Sequence, residues 1–133
     1  MSALEVVQQV LAAFAVGDRP TVGTLVSPNI VWRQSGPAPL GAEFHGVEAV
    51  LDYILGEDHI DDYHLEVHDL LSSPTSAAMV ATTTGRLGGE PFVNQFVNLI
   101  RVGDDGLIHT VDSYAWDQAG VAARLAAQAS VRA

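Results

Sequence analysis

His64, Glu66 and His68 alternate along one segment, so in an extended strand two imidazoles and a carboxylate share a face, and these are ligand types that zinc accepts. Leu65 and Val67 are the apolar partners in that alternation and belong toward the core, which leaves the three polar side chains on the solvent or partner side. Strand spacing alone supplies no converging ligand set, and no metal site is expected. His59 lies among Asp58, Asp61 and Asp62 in a segment, Glu57 to Tyr63, whose acidity reads as a solvated connection. His45 beside Glu43, and His109 next to a turn, read as surface side chains. Further along, Asn94, Phe96, Asn98 and Ile100 take one face of a strand, opposite Val93, Gln95, Val97 and Leu99. If the first set faces inward, its carboxamides together with Trp32 and Gln34 make a pocket of aromatic walls and few amides, the usual composition for a neutral ligand's site. The chain has no phosphate-cradling glycine loop, GxSxG elbow or HExxH motif.

The composition narrows the field further. In 133 residues there are sixteen acids against six arginines and no lysine, for a formal charge of −10. No basic stripe is left to neutralise a phosphate backbone, so nucleic acid is not an expected partner. Cysteine is absent, which removes disulfides, thiolate metal sites and thiol nucleophiles together. Hydrophobic residues at 48% and charged residues at 17% describe one folded core rather than a disordered chain. Glu5, Gln8 and Gln9 interrupt the N-terminal apolar run, and no stretch is long and apolar enough for a membrane span. A cytoplasmic location and no membrane partner are expected.

The elements that position these residues follow from periodicity. Leu4, Val7, Leu11 and Phe14 recur at helical spacing, with Ser2 as a cap and Gly17 as a stop. A short helix from Pro20 to Val26 with Asp18 as its cap is broken by Pro28-Asn29, and Ile30 to Gln34 reads as a strand. Ser35 to Gly41 is a turn-rich loop, and Val47, Val50, Leu51 and Ile54 define a third helix closed by Gly56. Strands are predicted over about His64 to Leu71, Ala77 to Leu87, Pro91 to Val102 and Leu107 to Trp116, followed by a helix capped by Asp117. Helices first and hairpin-linked strands afterwards describe a single α+β domain over residues 1–133, with about three N-terminal helices and a mainly antiparallel sheet covered on one face by helices; if that sheet is strongly curved, it encloses a cavity.

Several stretches carry a resemblance. They are Gly17-Asp18, Val31-Trp32, the run Ser35-Gly36-Pro37-Ala38-Pro39-Leu40-Gly41 leading to His45-Gly46-Val47-Glu48-Ala49-Val50, Asn98 to Val102, and Asp105-Gly106-Leu107-Ile108 with Tyr114 to Asp117. In this order they resemble the ketosteroid-isomerase-like and polyketide-cyclase-like (SnoaL-like) branch of the nuclear-transport-factor-2-like (NTF2-like) superfamily. The resemblance implies a cone-shaped α+β barrel, commonly dimeric, around a cavity for a small apolar or polycyclic molecule, with no cofactor. Function on such a shared fold has to be argued from the cavity residues.

Carried over residue by residue, the resemblance places the steroid isomerases' tyrosine at Val10, their base at Gln34 and their neutral acid at Asn98, so that residue set is not retained. The epoxide hydrolases' Arg-x-Asp element is missing from Val80 to Arg86. The polyketide cyclases' acid/base aspartate falls at Ser113, beside Asp112, with one extra residue between Gly106 and Asp117. A bulge there would turn Asp112 inward as general acid or base. Asn98 and Gln34 would then polarise a substrate carbonyl, with Trp32, Asn94, Phe96 and Ser113 completing the pocket of a cofactor-independent isomerase or cyclase. If Asp112 instead faces outward, Tyr114 and Trp116 share its parity and are exposed unless a second copy covers them, which favours a homodimer through the outer sheet face. The alternatives are a non-catalytic ligand-binding protein of the same fold and a dimerisation module with a filled cavity.

Overall fold

The computed structural model describes residues 1–55 and 60–132. Helices α1 (Ala3–Ala15) and α2 (Arg19–Leu25) lead into strand β1 (Val26–Gln34), which is followed by β2 (Ala42–His45) and helix α3 (Val47–Leu55). Four strands come next, β3 (Ile60–Ser72), β4 (Ser76–Leu87), β5 (Glu90–Val102) and β6 (Ile108–Ala115), and helix α4 (Gln118–Arg132) ends the described chain. The sheet has the order β2-β1-β6-β5-β4-β3, antiparallel except where β1 runs parallel to β6. It curves but does not close, because β2 and β3 remain as edges. The expected barrel is thus an open sheet with helices across its concave side. Among the described residues no helix is long and apolar enough to cross a membrane.

Helix ends follow local chemistry. Ser2 and Glu5 form a reciprocal capping box at α1, and Gly17 (φ +66°) turns the chain out of it. Asp18 caps α2, accepting hydrogen bonds from the Thr21 backbone N–H and hydroxyl at 3.2 and 2.6 Å. Asp117 Oδ1 accepts from the Gly120 N–H at 3.0 Å, which starts α4 where its cap was expected. Leu40 and the neighbouring Pro39 are brought into the cavity wall by the loop after β1, where a Cβ on Gly41 would collide with the Gly36 carbonyl oxygen.

Three expected boundaries change. Pro28-Asn29 does not break the chain into loop; β1 runs through it, and the β1–β6 register shifts between Val26 and Val31. An irregularity of this kind accommodates a residue that cannot donate a ladder hydrogen bond. Strand β2 was not expected, and it places His45 on a sheet edge rather than in a loop. Ile60 to Tyr63 extend β3 rather than forming a connection, while Gly56, expected to close α3, and His59 lie outside the described residues.

Apolar packing divides along the sheet. Ala3, Val6 and Val7 of α1 pack with Ile30, Ile100 and Val111 at one end of the concave face. Leu87 and Phe92 pack with Val121 and Ala122 of α4 at the other. Arg124 ties α4 to the start of β5, donating to the Pro91 carbonyl at 2.8 Å and lying 5.9 Å from the Phe92 ring centre.

Candidate functional site

The concave face encloses a cavity of about 750 Å3 lined from α1, α2, α3, α4 and all six strands. Strand pairing explains which side chains reach it. On β5 the inward set is Phe92, Asn94, Phe96, Asn98 and Ile100, and on β4 it includes Met79 and Thr83. Gln34, Ser113 and Asn98 are register partners across β1, β6 and β5, so three polar side chains form a transverse row. Each is buried, with at most 8% of its surface exposed. A second polar pair, Asn94 and Thr83, are register partners across β5 and β4. Phe96 and its partners Ala81 and Ala115 separate the row from the pair.

Gln34 is held by aromatic neighbours. Its Oε1 accepts from Trp32 Nε1 at 3.3 Å and from the Tyr53 hydroxyl at 3.2 Å. Tyr53 in turn stacks on Phe44, with ring centres 4.2 Å apart, and meets Trp32 edge-on at 5.8 Å. With its carbonyl doubly engaged, Gln34 presents its NH2 group as the part still able to bond a ligand. The carboxamide oxygens of Asn94 and Asn98 are buried and have no partner among the described residues. Ionised side chains are missing from the wall: among the described lining residues there is no aspartate, glutamate, histidine, lysine or arginine.

Asp112 requires a correction. The extra residue of β6 is indeed a bulge, but it lies at His109, because Val102 pairs with Ile108 and Arg101 with Thr110. Both Ile108 and Val111 therefore face inward, three residues apart, and the parity that follows puts Ser113 in the cavity and Asp112 on the convex face. There Asp112 receives two hydrogen bonds from the guanidinium of its register partner Arg33, one of them at 3.1 Å. Those bonds, opposed by partial burial and aided by the charges of Arg33 and Arg101, hold its carboxyl below the ordinary carboxylate range. A general acid at neutral pH needs the opposite shift.

A model of the SnoaL-like domain matches residues 7–111. The chain belongs to the SnoaL-like family. It thereby falls in the NTF2-like superfamily, a fold family that binds ligands. Among solved structures it is similar to a cystatin-like-fold protein of unknown function from Xanthomonas campestris, with 22% identity, a TM-score of 0.79, and 93% of this chain and 98% of that one covered. It is also similar to RV0760c from Mycobacterium tuberculosis, a structure in complex with estradiol-17β-hemisuccinate, at 21% identity and TM-score 0.70, covering 89% and 98%. Bal32a, from a soil-derived mobile gene cassette, is a third, at 18% identity and TM-score 0.78, covering 90% and 92%. At these identities the likeness establishes the fold. No curated protein matches the chain.

Within this SnoaL-like domain, Trp32, Gln34, Asn94, Phe96, Asn98 and Ser113 all line the one cavity, and Asp112 alone of the predicted set does not. His64 and His68 stay apart from it, His68 bonding Thr82 on the neighbouring strand at 2.6 Å. His109 sits in the bulge with its Nε2 2.9 Å from both Asp105 oxygens. Sequence reasoning missed Thr83 and left Tyr53 at the margin of its helix stripe. The parity of Ala77, Met79 and Ala81 was a signal for Thr83, because it carries an inward-facing series onto a polar residue.

The Arg33–Asp112 pair predicts a pH-dependent stability difference. A carboxylate whose folded pKa is depressed contributes stability that is full above its unfolded pKa, about 4, and is lost as pH falls through the folded value. Asp112→Asn should therefore lower stability at pH 7, by about 1 kcal/mol or less because Arg33 is half exposed. The difference from the native chain should shrink as pH falls through the depressed folded value, below which both are uncharged at this position. Urea denaturation of both proteins across this range checks the sign.

Proposed function

We propose that this SnoaL-like protein binds a small, uncharged, largely apolar molecule and does not transform it. The observation that carries this reading is the cavity wall itself: about 750 Å3 of apolar and aromatic surface with amides and hydroxyls, and no ionised side chain among the described residues. Isomerase or cyclase chemistry by proton transfer needs a base at the substrate, and Asp112 lies on the opposite face in an ion pair. A carboxamide cannot serve as that base, so Gln34 and Asn98 bind and orient. A purely structural dimerisation module is disfavoured by the size of the open cavity. The complex of RV0760c with estradiol-17β-hemisuccinate supports a ligand of polycyclic size.

A thermal-shift screen with neutral steroids, polyketides, terpenes and lipids, run beside carboxylated analogues, tests this. A neutral ligand at a hundred times its Kd should stabilise the fold by about 2.7 kcal/mol and be recovered unchanged. Stabilisation by anionic compounds alone, or conversion of a bound neutral compound, would overturn the proposal.

We further propose a homodimer through the convex face. Trp116 is 85% exposed, Val93 58% and Tyr114 43%, a cluster of large apolar side chains that an isolated domain seldom leaves in water. Sedimentation equilibrium should give a dimer, and Trp116→Glu, which disturbs no core contact, should shift it to monomer. A native chain that sediments as monomer at tens of micromolar (a range of ordinary weak association) contradicts this.

A further inference from the structure

The two polar patches of the cavity lie at different depths on the same strand. Asn98 belongs to the row with Ser113 and Gln34, and Asn94 belongs to the pair with Thr83. The two asparagines are four positions apart on the strand, about 13 Å along β5. Between them the wall is made by Phe96, whose register partners on the flanking strands are the buried Ala81 and Ala115.

Each asparagine is unsatisfied in the same way. The Oδ1 atoms of Asn94 and Asn98 are buried with no partner among the described residues, and no hydrogen bond to the Thr83 or Ser113 hydroxyl is present among those residues. A buried carboxamide without partners is costly to keep, and natural structures pair such groups with protein, water or ligand. Turning either carboxamide over exchanges its oxygen and NH2, so each patch offers both a donor and an acceptor. A hydroxyl complements that arrangement because it donates and accepts at once, and a carbonyl complements its donor half. With no charged side chain in the described wall, neither end of the ligand is matched to a carboxylate or an amine.

We infer that the cavity takes an elongated, uncharged ligand with a rigid apolar middle and a hydroxyl or carbonyl at each end, one end at Asn98 with Ser113 and Gln34, the other at Asn94 with Thr83. This inference rests on the binding reading above and specifies its ligand class. The apolar middle lies along Phe96, and the two ends account for both unpartnered carboxamide oxygens with one molecule.

The test uses three rigid rods, trans-stilbene, trans-4-hydroxystilbene and trans-4,4′-dihydroxystilbene, titrated into the native chain by calorimetry. Affinity should rise several-fold to about tenfold with each hydroxyl added, the range of one net hydrogen bond per end. Asn94→Leu, close in volume, should remove the gain from the second hydroxyl and leave 4-hydroxystilbene binding as it was. Asn98→Leu should do the same from the other end, and the double variant should bind all three rods alike. Equal affinity of the native chain for all three rods overturns the two-ended ligand, assigns the asparagines to bound water, and leaves the binding reading standing. A gain on the first hydroxyl and none on the second also overturns it. Binding of none of the rods, and of no neutral compound in the thermal-shift screen, removes the binding reading and this inference with it. The native series decides the matter even if a leucine variant fails to fold.

Discussion

Between Ile108 and Thr110 strand β6 carries one residue more than its neighbour β5, and His109 is left without a partner in the ladder. Side chains alternate with a period of two, so this insertion reverses the facing of everything that follows it. Val111 and Ser113 turn to the cavity, and Asp112, Tyr114 and Trp116 turn away. Had the pairing continued without the bulge from Ile108, Asp112 would project into an apolar enclosure as a carboxylate. The bulge places it beside Arg33 instead and leaves a hydroxyl in its position. A cavity wall that hydrogen-bonds without an ionised side chain among the described residues, and the exposure of Tyr114 and Trp116 beside the Arg33–Asp112 pair, both depend on that local geometry.

The inner wall is organised around the same register. Because Gln34, Ser113 and Asn98 align across three adjacent strands, their polar ends gather in one transverse row. Trp32 and Tyr53 hold the Gln34 carbonyl, and Phe44 holds Tyr53 from the edge strand β2. This network fixes the orientation of one amide, while the asparagines of β5 have no such support among the described residues. In the proposed binding role, a site built this way would recognise a ligand by shape and by the placement of neutral polar groups. Its selectivity against analogues that lack those groups follows from leaving its own amides unpaired.

Where periodicity was regular, the sequence was a sound guide. The facing of Asn94, Phe96 and Asn98 follows from unbroken alternation along β5, and the Ser2 and Asp117 caps follow from side chains that bond the nearest free N–H groups. The resemblance carried by residues such as Gly17-Asp18 and Asp105-Gly106 pointed to the family that the domain match establishes. The misreadings fall where alternation is interrupted. The extra residue in β6 was visible as a length difference, but its position at His109 depends on pairing with β5, a nonlocal property. Pro28 was read by its local preference, whereas the sheet absorbs it in a register shift. Strand β2 is only four residues long and gains its conformation from pairing with β1.

With no ionised side chain in the described wall, a neutral ligand should enter the cavity without any change of protonation. Calorimetric titration of one neutral cavity ligand, in buffers of different ionisation enthalpy at neutral pH, measures this directly. The binding enthalpy should be the same in every buffer, with no proton taken up or released. A binding enthalpy that scales with buffer ionisation would place a titrating group at the ligand and contradict a binding site of neutral groups.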